Sequence, residues 1–116
     1  MSAVYSGTMK PADAEERVTI FIEADENHLV TKATFDAEGG ERLKACAETL
    51  CEQLLEKDVR DFFQMTNNVI YYNIEPDLRL NELYLASIAV MAAKRAAADY
   101  CRKNGIDFDA GTCCCV

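Results

Sequence analysis

Val18-Thr-Ile-Phe-Ile-Glu-Ala24, the polar link Asp25-Glu-Asn-His28, and Leu29-Val-Thr-Lys-Ala-Thr-Phe35 are the three stretches that decide the fold. β-Branched and aromatic residues crowd the two outer stretches, and such side chains pack well on a pleated surface. Each reads as a strand. The link is turn-forming, because aspartate and asparagine bond their own backbone, so an antiparallel hairpin with a four-residue connection is expected. His28 lies at its tip, where the chain's single histidine is expected to be solvated rather than a metal ligand.

Beyond the hairpin, Gly39-Gly40 breaks the strand pattern, and Leu43, Ala47, Leu50 and Leu54 then recur at helical spacing from Glu41 to about Lys57. At about 100° per residue Cys46 and Cys51 fall roughly 140° apart on the flanks of that apolar stripe, so one metal cannot easily join them. Both are expected to be core residues. Phe62 and Phe63 should anchor the segment Val59 to Met65, and Asn67-Asn68 should cap a short helix running through Tyr72 and ended by Pro76. A second long helix is expected from Leu83 to Lys103. Leu85, Ile88, Ala89, Ala92, Ala96 and Tyr100 share its apolar face, with Lys94, Arg95 and Arg102 turned away and Cys101 nearer the polar flank. Asn104-Gly105 is the stop signal. The expected class is α+β, a small antiparallel β-sheet covered by helices. Residues 1–17 form an N-terminal segment, 18–103 the domain, and 104–116 a flexible Cys-rich tail.

Composition narrows the function. The 116 residues fit one domain, and 50% hydrophobic with 28% charged residues is the balance of a globular protein. A net charge of -8 with the lysines and arginines scattered singly leaves no basic stripe for a phosphate backbone, so nucleic acid is not an expected partner. Met1 to Lys10 lacks the apolar run of a secretory signal, and Leu83 to Ala93 is far shorter than the roughly 20 residues that span a bilayer. A cytoplasmic location without membrane attachment follows as the expectation. In that reducing compartment the six cysteines are free thiols or metal ligands rather than a disulfide framework.

Three of the six form one run, Cys113, Cys114 and Cys115, behind Gly111-Thr112. Adjacent thiols suit soft metals or redox exchange better than packing. Cys113-Cys114-Cys115-Val116 also fits a prenylation terminus formally, but its middle positions are not aliphatic and Asp107 and Asp109 are acidic where anchors carry lysines. No histidine, serine and aspartate constellation or spaced carboxylate pair suggests hydrolysis, so the chain is not expected to be an enzyme.

The order of parts resembles a known family. Tyr5-Ser6 near the start, a strand pair ending in Lys32-Ala33-Thr34-Phe35, two glycines, a helix, a short capped helix and an alanine-rich helix closing on Asp99-Tyr100 are similar to the iron-sulfur cluster assembly scaffolds of the IscU and NifU amino-terminal type. The resemblance covers roughly Val18 to Lys103. It implies a small sheet covered by helices, cluster ligands at one end, and protein partners in sulfur transfer or cluster assembly. At those ligand positions this chain departs. Where the family has Cys-Gly-Asp, Ala14-Glu15-Glu16 keeps only the carboxylate of Glu16; Gly-Cys-Gly is matched by Gly39-Gly40-Glu41, and His-Cys-Ser by Tyr84-Leu85-Ala86. Glu16, Gly40, Tyr84 and Leu85 supply no sulfur.

Two functional readings result. In the first, a divergent scaffold binds iron, an iron-sulfur cluster or zinc through Cys113, Cys114 and Cys115. Neighbouring side chains project differently, so two donors from this chain and others from a second copy or a partner make the more reasonable site, with dimerisation accompanying metal. The reach suffices: 13 residues from Asn104 to Val116 extend to roughly 43 Å at 3.3 Å each, beyond the roughly 30 Å of the last helix. In the second reading the protein is an interaction or regulatory module for sulfur-transfer or iron-sulfur enzymes, and the tail is incidental or carries a persulfide.

Overall fold

A computed structural model describes residues 3–12, 15–74 and 78–106. Strands β1 (Tyr5–Met9), β2 (Arg17–Ala24) and β3 (Val30–Glu38) form one antiparallel sheet in the order β1-β2-β3. Helix α1 (Glu41–Leu54), a 3-10 turn (Val59–Gln64), short helix α2 (Asn68–Tyr71), a second 3-10 turn (Leu80–Glu82) and long helix α3 (Leu83–Lys103) follow. The expected α+β class is what the chain adopts. Within the expected N-terminal segment, β1 joins the sheet: it pairs along its length with β2, from Tyr5 opposite Ile22 to Met9 opposite Val18.

The strand residues explain the layers. Val18, Ile20 and Ile22 alternate onto one face opposite Ala37, Phe35 and Ala33 of β3, and all three are fully buried. α3 lies over β1 and β2, α1 over β3. Gly7 is the closest approach. A methyl group there would overlap the backbone of Ala92, Arg95 and Ala96, so only glycine lets β1 sit directly on the alanine-rich face of α3.

The hairpin turn runs from Asp25 to Leu29, one residue longer than expected. Asp25 Oδ1 accepts from the N–H groups of Asn27 at 2.8 Å and Leu29 at 3.0 Å, an aspartate-built turn. His28 departs from the expected solvated state. Its backbone is left-handed (φ 67°), its ring is half-buried, and Nδ1 lies 2.6 Å from the Tyr100 hydroxyl at the far end of α3. The histidine is a tertiary anchor.

A bulge between Glu23 and Ala24 shifts the alternation of β3 by one residue, so Val30 turns its backbone away from β2. Glu56 N–H donates to Val30 O at 2.8 Å and Val30 N–H to Lys57 O at 2.9 Å. That pairing ends α1 at Leu54 rather than Lys57, with Glu56 in the left-handed region (φ 66°). Asn67 also differs. Its amide faces Ser87 Oγ at 3.4 Å and makes no cap, while Thr66 Oγ1 accepts from Asn68 N–H. Phe62 and Phe63 are buried as expected, and Pro76 lies outside the described residues.

Two positions on α3 are corrected. Lys94 and Cys101, expected toward the polar side, are 5% and 0% exposed. The helix is covered by the sheet on one side and by α1 and the Val59–Gln64 turn on others, so its buried arc is wider than a single stripe.

Candidate functional site

The four positions that the resemblance matches to family ligands come from three separate parts of the chain, and the fold gathers them at one end. Glu16 stands just before β2, Gly40 is the N-cap of α1, and Tyr84 and Leu85 open α3. The Tyr84 hydroxyl donates to Glu16 Oε2 at 3.3 Å, across 68 positions of sequence. Gly39 completes the neighbourhood: with φ 150°, an added Cβ would lie 3.3 Å from Glu16 Cγ and 2.7 Å from Leu43 Cδ2. Gly40 has extended backbone and nothing within 4 Å of an added Cβ, so this corner is open. Leu85 is different, being 7% exposed within the core.

Two residues that sequence reasoning missed tie this end together. Arg42 Nε lies 3.6 Å from Glu82 Oε2, joining the first turn of α1 to the start of α3, and Glu82 Oε1 accepts from Arg79 N–H at 2.9 Å. Both are half-buried, so the pair fixes how the helix starts approach each other. The signal available was weak, an arginine and a glutamate 40 positions apart. Around Tyr84, partial desolvation and the Glu16 carboxylate push the phenol above its ordinary pKa. It stays protonated and acts as a donor.

This donor set does not fit a cluster. Iron-sulfur clusters and structural zinc need converging thiolates or imidazoles, whereas one carboxylate, a neutral phenol, a glycine and a buried leucine offer a single anionic group and no sulfur or imidazole. Among the described residues no group of three histidine, cysteine, aspartate or glutamate side chains is arranged to hold a metal ion.

The described thiols are equally unsuited. Cys46, Cys51 and Cys101 are all buried and free of disulfides, as expected for the first two. Burial pushes Cys46 up to about 11, with Glu82 adding to the effect and Arg42 opposing it. Cys51 rises to about 12 through burial and then the Glu48 and Glu52 carboxylates, and burial raises Cys101 as well. A thiol needs to ionise to attack or to bind metal. With a pKa near 11, only about one molecule in a thousand is thiolate at pH 8. Iodoacetamide at pH 8 is therefore expected to leave all three unmodified in the folded protein and to label them after unfolding, as peptide mass spectrometry would show. These shifts also carry a sign for stability. The unfolded thiol ionises near 9 and the folded Cys46 near 11, so stability is intact below about pH 9 and declines between pH 9 and 11. Rapid native labelling of Cys46 would refute this assignment.

Cys113, Cys114 and Cys115 lie outside the described residues. No described helix is long and apolar enough to cross a membrane.

Comparison with protein families finds one whose description is NifU-like N terminal domain, matching residues 3–107. Comparison with curated proteins gives no match.

Proposed function

The chain belongs to the NifU-like N-terminal domain family of iron-sulfur cluster assembly scaffolds, and from that premise we propose a scaffold that has moved its metal chemistry from the family-ligand end to Cys113, Cys114 and Cys115. The observation that carries this reading is the hydrogen-bonded Tyr84–Glu16 pair standing where the family places ligands. With Cys46, Cys51 and Cys101 buried, the terminal run holds the remaining thiols of the chain. Thiolates at those positions would take iron, zinc or an iron-sulfur cluster as cargo. The protein then works in the cytoplasm as a carrier rather than a catalyst, beside the sulfur-donor proteins with which its family operates.

Adjacent side chains diverge, so each chain contributes two thiolates and a second copy supplies the rest. Protein purified without oxygen and loaded with zinc is expected to hold one zinc per two chains and to sediment as a dimer that a chelator returns to monomer. A zinc-free monomer at saturating zinc would contradict the reading.

One observation favours the second reading, a docking module for sulfur-transfer or iron-sulfur enzymes. Tyr72, Leu80 and Tyr84, in or beside the helical segments, expose 81%, 87% and 51% of their surface. Large apolar side chains so exposed suit a protein interface.

A further inference from the structure

The sheet has two edges, and the chain treats them differently. At β1, Asp99 Oδ2 accepts from Ser6 N–H at 3.2 Å and Arg95 Nη1 donates to Thr8 O at 2.7 Å, so side chains of α3 occupy the outward backbone groups. Closing an edge in this way prevents another strand from adding to it. Since Ser6 and Thr8 face outward, Tyr5, Gly7 and Met9 are the residues bonded to β2, through Ile22, Ile20 and Val18. Alternation then directs Thr19 and Phe21 to Asp36 and Thr34 of β3, which leaves the N–H and C=O of Ala33 and Phe35 pointing out of the sheet. Among the described residues nothing bonds them. One residue pair earlier, past the bulge, the chain's own Glu56–Lys57 segment already bonds to this edge at Val30.

Beside the open edge lies a groove of about 350 Å³ between β3 and α1. Ala33, Phe35, Cys51 and Leu55 give it an apolar floor, and Leu55 is 47% exposed. Glu48 and Glu52 form its outer wall, and Glu56 extends the row in the adjoining groove. These three carboxylates are exposed and enter no ion pair among the described residues. Glu48 and Glu52, spaced by four on α1, repel each other, and Glu56 just past its end adds a third like charge, so the row costs the free protein stability that a cationic partner would return.

We propose that the β3 edge and this groove dock an extended protein segment carrying arginine or lysine at every second position. Backbone groups of the segment pair with Ala33 and Phe35 as an added strand. Side chains of residues opposite Ala33 and Phe35 point toward α1. Long cationic side chains suit that direction, since their aliphatic stems cover Leu55 and Cys51 while their heads reach Glu48, Glu52 and Glu56. Charge argues against the alternatives. The chain's own terminus contains Asp107 and Asp109 and no lysine or arginine after Lys103, and a second copy brings a net charge of -8. The docking site is independent of where metal is held.

The test uses a fluorescent heptapeptide of alternating valine and arginine and the full chain, read by anisotropy at physiological salt. Saturable binding is expected, weakened about tenfold or more by Glu48→Gln with Glu52→Gln and Glu56→Gln, which are exposed and leave the core intact. N-methylating the backbone of the two arginines that flank the central valine, which removes their N–H donors and keeps their charge, is expected to weaken binding comparably, because those residues pair with Ala33 and Phe35. Equal binding by the triple variant, or by the N-methylated peptide, would overturn the proposal, the latter by reducing it to charge attraction alone. So would a peptide-resistant dimer of the free chain, or absence of binding.

Discussion

Replacing Gly7 by alanine is expected to destabilise the protein by about 3 kcal/mol or more, a loss at the upper end for overpacking a close contact. Ordinarily the same change inside a strand is favourable, because glycine loses more backbone freedom on folding than alanine, by about 0.5–1 kcal/mol. Here sterics decide the sign. The added Cβ would overlap backbone atoms of Ala92 and Ala96 and lie 2.5 Å from the carbonyl carbon of Arg95. Backbone in the middle of a buried 21-residue helix cannot rotate away as a side chain would, so β1 or α3 must move bodily. Moving either disturbs the Ser6–Asp99 and Thr8–Arg95 bonds and the Tyr5–Tyr100 ring contact at 4.8 Å. Urea unfolding should show the loss directly, and the midpoint of thermal unfolding should fall by on the order of 10–20 °C. Gly40→Ala is the control. Its φ of -77° suits any residue and its surroundings are open, so only the poorer capping by alanine acts, and a loss of no more than about 1 kcal/mol is expected. A loss below about 1 kcal/mol for Gly7→Ala would mean that β1 does not sit on α3 as described.

That contact also marks the limit of sequence reading. β2 and β3 are legible because β-branched and aromatic residues crowd them, and α1 and α3 because each repeats apolar residues at helical spacing. β1 has five residues with a glycine at its centre, so neither period nor propensity reveals it, and the meaning of Gly7 exists only once α3 is laid against it. Lys94 and Cys101 were misread for a related reason. A single-stripe view assumes one packing partner, whereas α3 has several. His28 looks like a solvated turn residue until Tyr100, 72 positions away, arrives at 2.6 Å. The four matched positions come from the order of elements shared with the family. The contacts made there were not legible, because the Tyr84–Glu16 hydrogen bond and the Arg42–Glu82 pair each join residues distant in sequence.

Those two pairs give the second large effect its direction. If the family-ligand end has become a structural corner, removing its polar groups should leave metal chemistry untouched, while removing the terminal thiols should abolish it. The thiols of the core do not compete, because burial keeps Cys46 and Cys51 protonated through neutral pH. A cluster held by thiolates of Cys113, Cys114 and Cys115 loses its direct ligands when these become serine. Such a loss exceeds the roughly 10- to 100-fold that follows removal of an outer hydrogen-bond partner of a ligand.

The deciding measurement is anaerobic reconstitution with ferrous iron and sulfide, read as visible charge-transfer absorption and as iron and sulfide retained through gel filtration. Three proteins enter it: the intact chain, the chain with Cys113→Ser, Cys114→Ser and Cys115→Ser, and the chain with Glu16→Gln and Tyr84→Phe. The predicted result is a bound chromophore in the first and third and none in the second. Equal absorption in the serine variant, loss in the Glu16 and Tyr84 variant, or no chromophore in the intact chain would contradict the transfer of metal binding to the terminal thiols.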